Sequence, residues 1–358
     1  MNECDMRLEV SRADRVYRPG ETIRGTLTLK VREDCHCKDL LITLRWRTRG
    51  KGNKAEGDPV KVSLGSHDWQ TGQEHKIPFE IEAPAGPLSY DGTLLRVLWE
   101  LRAEADTSVW ADPKTDPLVV RLERWTAETL TQEGGSYRAP PKHWAGEYGL
   151  GPTARQSVPG APPSTLMGCG AVAALGGVLL LAAPWGSNAV GGGIVMAVVG
   201  AVLFLFALPK YLAQRRIGTP IFRCEPSEVC VGGDLCVTLT LRPKAEARVN
   251  GVSVRLLGRE KVTKGSGKKA TTYRQDLHEQ RGELSLGAKR LKAGKTYCGE
   301  LKLKIPEDAA PSFGAMYNEV FWEIDVRIDI AGWPDWKDGQ RIVVVPAPPD
   351  AAQGSISG

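Results

Sequence analysis

Two short stretches hold residue types that could do chemistry. Cys35-His36-Cys37 offers the thiols and imidazole that a zinc ion takes, and Gly265-Ser266-Gly267-Lys268-Lys269 offers the glycines and lysine of a phosphate-cradling loop. Neither set is complete. A structural zinc site needs about four ligands in spaced pairs, and the eight cysteines contain no CxxC pair. The phosphate loop lacks its leading glycine, since position 262 is Val, and no Ser or Thr follows Lys268. The five histidines, His36, His67, His75, His143 and His278, stand in no GxSxG, HExxH or GxGxxG setting. The sequence therefore points away from an enzyme, and the expectation is no catalytic residue, no cofactor and no metal.

Charge is the better-represented chemistry. Arg45, Arg47, Arg49, Lys51 and Lys54 cluster after one apolar-alternating segment, and Arg259, Lys261, Lys264, Lys268 and Lys269 cluster after another, both in glycine-containing hairpins. Two readings are open. As a contact for anionic lipid head groups or an acidic partner, the sites are Arg47, Arg49, Lys51, Lys54, Lys261, Lys264, Lys268 and Lys269. Otherwise both are solvated hairpin tips. Nucleic acid is not expected, because no aromatic side chains interleave with these cations to stack on bases. A net charge of +5 suits an anionic partner.

The elements that carry these clusters read as strands. Ile23, Leu27, Leu29 and Val31 alternate with polar residues, as do Leu40, Ile42, Leu44 and Trp46. Ile77, Phe79 and Ile81 mark another strand, Leu95 to Ala103 a long one, and Leu118 to Leu122 a short one. Turns rich in Gly, Pro and Asp separate them, which predicts an antiparallel sandwich with Trp99 in its core.

Residues 125–164 break every periodicity with Gly134-Gly135, Pro140-Pro141 and Pro159-Gly160-Ala161-Pro162-Pro163, and read as a linker. Two apolar runs follow, 166–185 and 189–208, with no charged residue or histidine and only Gly186-Ser187-Asn188 between them. About 20 apolar residues suffice to span a bilayer as a helix, so the expectation is a transmembrane helical hairpin over 165–209. The other reading, a buried core hairpin, fits less well because core helices keep a polar face. Arg155, Lys210, Arg215 and Arg216 flank the hairpin, and the positive-inside rule then places both flanks in the cytoplasm. This predicts an integral, multi-pass protein of the plasma (inner) membrane. Gly193, Ala197 and Ala201 form a small-residue row that either packs the hairpin or mediates self-association.

After a basic linker over 210–220 the first pattern returns. At an offset of 223 positions Ser89 meets Ser312, Trp99-Glu100 meets Trp322-Glu323, and Trp110-x-Asp112-x-Lys114 meets Trp333-x-Asp335-x-Lys337. Trp110 and Trp333, near turns, are expected to close the sandwich bottoms. The chain thus divides into a sandwich over 1–124, the linker and hairpin, a second sandwich over 221–347, and a tail over 348–358.

Tyr17-Arg18-Pro19-Gly20-Glu21-x-Ile23-x-Gly25, Ile77-Pro78-Phe79 with Pro87-x-Ser89-Tyr90-x-Gly92, and Ile305-Pro306 with Pro311-Ser312-Phe313 together resemble the arrestin superfamily, including arrestin-domain adaptors and Spo0M-type proteins. The resemblance implies a mainly β fold of two arrestin-like, immunoglobulin-like antiparallel β-sandwiches, here flanking two transmembrane α-helices. It also implies a non-catalytic role: a membrane-anchored scaffold or adaptor for protein partners, or alternatively an accessory or sensor subunit of a membrane enzyme or transport complex. The long insertion between the halves leaves the family's shared interface without an expectation here.

Overall fold

A computed structural model of the chain describes residues 4–107, 113–126, 198, 199, 201, 208 and 211–346. The first sandwich sets a three-stranded sheet of β1 (Cys4–Val10), β3 (Thr22–Val31) and β7 (Glu74–Glu82) against a larger one. The larger sheet runs β2 (Val16–Tyr17), β10 (Leu118–Leu122), β9 (Leu95–Thr107), β4 (Cys35–Gly50) and β5 (Val60–Ser63). Two short strands complete it, β6 (His67–Trp69) on β4 and β8 (Tyr90–Asp91) on β9. Pairing is antiparallel except for β2 on β10, which is parallel. Alternation sets the core: Ile23, Leu27, Leu29 and Val31 of β3 face Ile42, Leu44, Val97, Trp99 and Leu101. The gap in the β3 pattern at Gly25 has a packing cause, since the Phe79 ring of the neighbouring strand occupies the space a Cβ would need.

The second sandwich repeats the plan. Its small sheet is β11 (Ile221–Glu225), β13 (Asp234–Leu241) and β17 (Tyr297–Lys304). Its large sheet runs β12 (Glu228–Cys230), β20 (Trp336–Val345), β19 (Asn318–Ile330), β14 (Ala247–Lys264) and β15 (Thr271–Glu283), with β16 (Arg290–Leu291) on β14 and β18 (Phe313–Ala315) on β19. Its one parallel pair is again the short strand on the last one, β12 on β20. The repeat extends to single bonds. Trp99 Nε1 donates to the Pro87 carbonyl at 2.7 Å, and Trp322 Nε1 to the Ala310 carbonyl at 2.8 Å. Ser89 Oγ accepts from the Leu122 amide, and Ser312 Oγ from the Val344 amide. Each tryptophan therefore meets the hydrogen-bond requirement of its buried indole from the corner that precedes its own strand.

The halves differ at their outer edges. β5 has 4 residues, whereas β15 has 13 and lies at the end of its sheet. Gly258 pairs with His278 and Arg259 with Asp276, so Leu277 is an extra residue that bulges the edge strand.

The expectation of two transmembrane helices is corrected. Among the described residues no helix is long and apolar enough to cross a membrane. A span needs about 20 continuous apolar residues, whereas the described helical stretch over 211–217 carries Gln214, Arg215 and Arg216 and buries Ala213 and Ile217 in the second core. Val198, Val199, Ala201 and Leu208 are also helical. The rest of the two apolar runs, with Gly193 and Ala197, lies outside the described residues. The fold class is mainly β, and the two-span membrane partnership and multi-pass inner-membrane placement are withdrawn with the helices. The tryptophan expected to close the second sandwich is also displaced. Trp336 is fully buried, while Trp333 is 38% exposed beneath the Arg216 guanidinium. Trp110 lies outside the described residues.

Candidate functional site

The two sandwiches meet, and the basic hairpins of both halves meet with them. β14 is long enough, at 18 residues, to run beyond its own core. Strand alternation turns Leu256, Gly258, Glu260 and Val262 inward, and the last of these joins the first sandwich's core together with Phe313 and Val320. Trp46 of β4 packs edge-to-face on Phe313 with ring centroids 5.6 Å apart.

Glu260 is the charged member of that inward series and is 0% exposed. Tyr90 Oη donates to its Oε1 at 2.5 Å and the Leu94 amide to its Oε2 at 2.8 Å, both from the first sandwich. Among the described residues no Lys, Arg or His lies within ion-pair distance of this carboxylate, so hydroxyl and amide dipoles carry its stabilisation. Burial, followed by the hydrogen bond and charge of Glu260, pushes the Tyr90 phenol far above its ordinary value. Gly92 makes the approach possible, because a Cβ there would fall on Glu260 Oε1 and Tyr90 Oη.

A second polar knot lies beside it. Asn318, 1% exposed, donates from Nδ2 to the Asn53 carbonyl at 2.8 Å. The Asn53 amide donates to the Thr263 carbonyl, its Nδ2 to the Gly265 carbonyl, and its Oδ1 accepts from the Gly265 amide, each at 2.9 Å. Asn53 thus treats the 263–265 segment of the other sandwich as a neighbouring strand. Lys51 and Lys54 flank it, and Lys51 Nζ sits 5.9 Å from the centroid of the Tyr273 ring.

This geometry divides the eight predicted contact residues. Arg47 and Arg49, with Arg102, converge on Glu100, which is 2% exposed; the distances are 3.1, 2.9 and 3.4 Å. Lys261 pairs with Glu319 at 3.1 Å. Arg47, Arg49 and Lys261, three of the eight, are thus paired within the outer sheet faces. Lys51, Lys54, Lys264, Lys268 and Lys269 remain exposed, and the Asn53 stitch brings the two from the first half to the hairpin carrying the other three. The Gly265-to-Lys269 stretch is a turn closed by backbone bonds, with a short 3-10 segment over Gly267–Lys269.

Glu260, Asn53 and Asn318 were not singled out from the sequence, and Tyr90 and Glu100 entered only as parts of the resemblance and the repeat, not as site residues. A signal existed for Glu260, an acid in phase with Leu256 and Val262 on an inward strand face. No comparable signal marks Asn53 or Asn318, whose roles come from contacts more than 200 positions apart. Elsewhere, a groove of about 630 Å³ on the outer face of the second sandwich is lined by Arg255, Arg281, Arg327, Lys337, Asp325 and Asp338. A smaller one of about 290 Å³ lies between the equivalent corners at Pro87–Tyr90 and Ala310–Phe313. Cys35 and Cys37 gather no metal set: among the described residues no three His, Cys, Asp or Glu side chains are placed to hold an ion, and His36 is bonded to Asp68 at 2.6 Å.

No family model matches the chain, and no curated protein matches it. Among solved structures the chain is similar to the sporulation control protein Spo0M from Bacillus subtilis, at 21% identity over 34% of this chain and 50% of that one, with a TM-score of 0.29. The match spans half the length of that protein.

Proposed function

We propose that this chain is a non-catalytic interaction module of the arrestin-like type, whose two sandwiches act as one body and dock an acidic segment of a protein partner on the lysine-rich seam between them. The observation that carries this reading is the convergence of Lys51, Lys54, Lys264, Lys268 and Lys269 from two halves of the chain onto one junction held by Asn53. Among the described residues, acids pair with other cations of the same two clusters and with none of these five, and a patch of unneutralised cations favours encounter with an anionic surface. Support for a non-catalytic role comes from Tyr90 and Glu260, the buried titratable pair at the seam, which are hydrogen-bonded to each other inside the protein.

The test uses the full chain and a fluorescein-labelled decaglutamate peptide, read by anisotropy at low and high salt. Binding that weakens as salt screens the charges, and that falls by about tenfold or more in K264E/K268E/K269E, is the expected result. Equal binding by the variant, or none by the parent chain, would overturn the reading.

A further inference from the structure

At the end of the first sandwich remote from the seam, its two sheets bring a pair of thiols together. Cys4 begins β1 in the small sheet, paired with Val31, and Cys35 begins β4 in the large sheet, paired with Trp69. Their sulfurs are 3.7 Å apart although the residues are separated by 31 positions. The surroundings hold both strand starts in place. Asp5, beside Cys4, accepts two hydrogen bonds from the Arg32 guanidinium, at 2.9 and 2.6 Å. Asp34, beside Cys35, accepts from the Thr71 amide and hydroxyl at 2.6 and 2.7 Å.

We propose that Cys4 and Cys35 form a redox-modification site, which a low-molecular-weight disulfide converts to an intramolecular disulfide joining the two sheets of the first sandwich. Exposure assigns the order of events. Cys35 is half-buried and reachable, while Cys4 is 2% exposed. The Cys35 thiolate attacks one sulfur of the small disulfide, breaking its S–S bond; the departing thiolate takes up a proton, and a mixed disulfide remains on Cys35. Cys4 then loses its proton to solvent and attacks the Cys35 sulfur, which expels the second small thiolate to be protonated in turn. One S–S bond is broken and one formed, and two electrons pass from the protein to the oxidant.

Neither the neighbouring Cys37 nor the distant Cys298 competes. Cys37 is fully buried, and burial pushes its thiol up to about 11, so it stays protonated and inert at neutral pH. Cys298 is exposed, but the group beside its sulfur is the Thr240 hydroxyl at 3.6 Å, so its reaction stops at the mixed disulfide. It serves as an internal comparison within the same molecule.

The test is incubation of the full chain with oxidised glutathione, acid quench, alkylation, proteolysis and mass spectrometry. The expected product is a Cys4–Cys35 cross-linked peptide alongside glutathionylated Cys298. Cys4→Ser, or Cys4→Ala if the hydroxyl is poorly accommodated, is expected to leave Cys35 as its glutathione adduct, and Cys35→Ser to leave Cys4 unmodified. The oxidised parent chain is expected to melt on the order of 10 °C higher, because the cross-link restricts the unfolded chain, and dithiothreitol should reverse the gain. A persistent glutathione adduct on Cys35 in the parent chain, a cross-link to Cys37 in place of Cys4, or an unchanged melting point would each overturn the proposal.

Discussion

Glu260 faces a choice that few buried carboxylates resolve without a cation. Its two oxygens are met by one hydroxyl and one backbone amide, and both donors belong to the other sandwich. Removing the side chain would strand the Tyr90 hydroxyl and the Leu94 amide in a closed space, and each unsatisfied group costs about 1–3 kcal/mol. Glu260→Ala is therefore expected to lose about 2–4 kcal/mol in urea unfolding. Glu260→Gln should lose less than half as much, since its amide oxygen can serve Leu94 while the Tyr90 hydroxyl rotates to accept from the amide nitrogen. Equal losses for the two variants would show that charge, and not hydrogen bonding, holds the contact. At this scale the sequence was partly readable. Trp99 and Trp322 lay in phase with apolar neighbours and are core residues, and Glu260 was equally in phase, but an acid on an inward face looks like an irregularity until its donors are seen. The lysine clusters were visible as charge. Which cations stay uncommitted depended on Glu100, which takes Arg47 and Arg49, and on Glu319, which takes Lys261; the linear order conceals both pairings.

Strands were the most legible elements, because a half-buried sheet writes a period of two into the chain. The segment read over Ile23 to Val31 lies in β3, and that over Leu95 to Ala103 in β9. β4 proved longer than its apolar core, extending to Gly50, because pairing with β9 continues past Trp46, where the inward position is taken by the polar Thr48 and the hydrophobic pattern ends. β14 likewise outruns its pattern, and that surplus length delivers Glu260 and Val262 to the other half. The short connection from β8 to β9 receives it, and Gly92 lies at the point of contact. Gly92→Ala is expected to destabilise the chain by about 1–3 kcal/mol through overpacking against Glu260 and Tyr90. The same change in an Glu260→Ala background should cost clearly less, because the obstructing carboxylate is gone; additive losses in that double-mutant cycle would argue against the contact.

At the scale of the whole molecule, the repeat was visible as a constant offset, but its consequence was not. Two sandwiches sharing core residues Val262, Phe313 and Val320, and cross-linked by the Asn53 and Glu260 contacts, should unfold as one cooperative unit. Calorimetry of the parent chain is expected to give a single transition, and a Glu260→Ala/Asn318→Ala variant two; a parent chain already showing two would mean the seam transmits little. Local composition carries no record of such a junction, since its partners come from opposite ends of the chain. The apolar runs illustrate the reverse limit: hydropathy over 166–208 gave the length of a span, whereas the described helical stretch over 211–217 exposes Arg215, half-buries Gln214 and Arg216, and buries Ala213 and Ile217, an amphipathic piece docked on a β core. One further property follows from the bulge at Leu277. A 13-residue outermost strand would, if straight, present an uninterrupted ribbon of backbone donors and acceptors to any stray β-segment. The extra residue twists that ribbon at its midpoint, and charged side chains flank the kink, so an adventitious strand finds only short stretches in step with it. A lone surplus leucine thereby guards the fold against templated stacking into fibres.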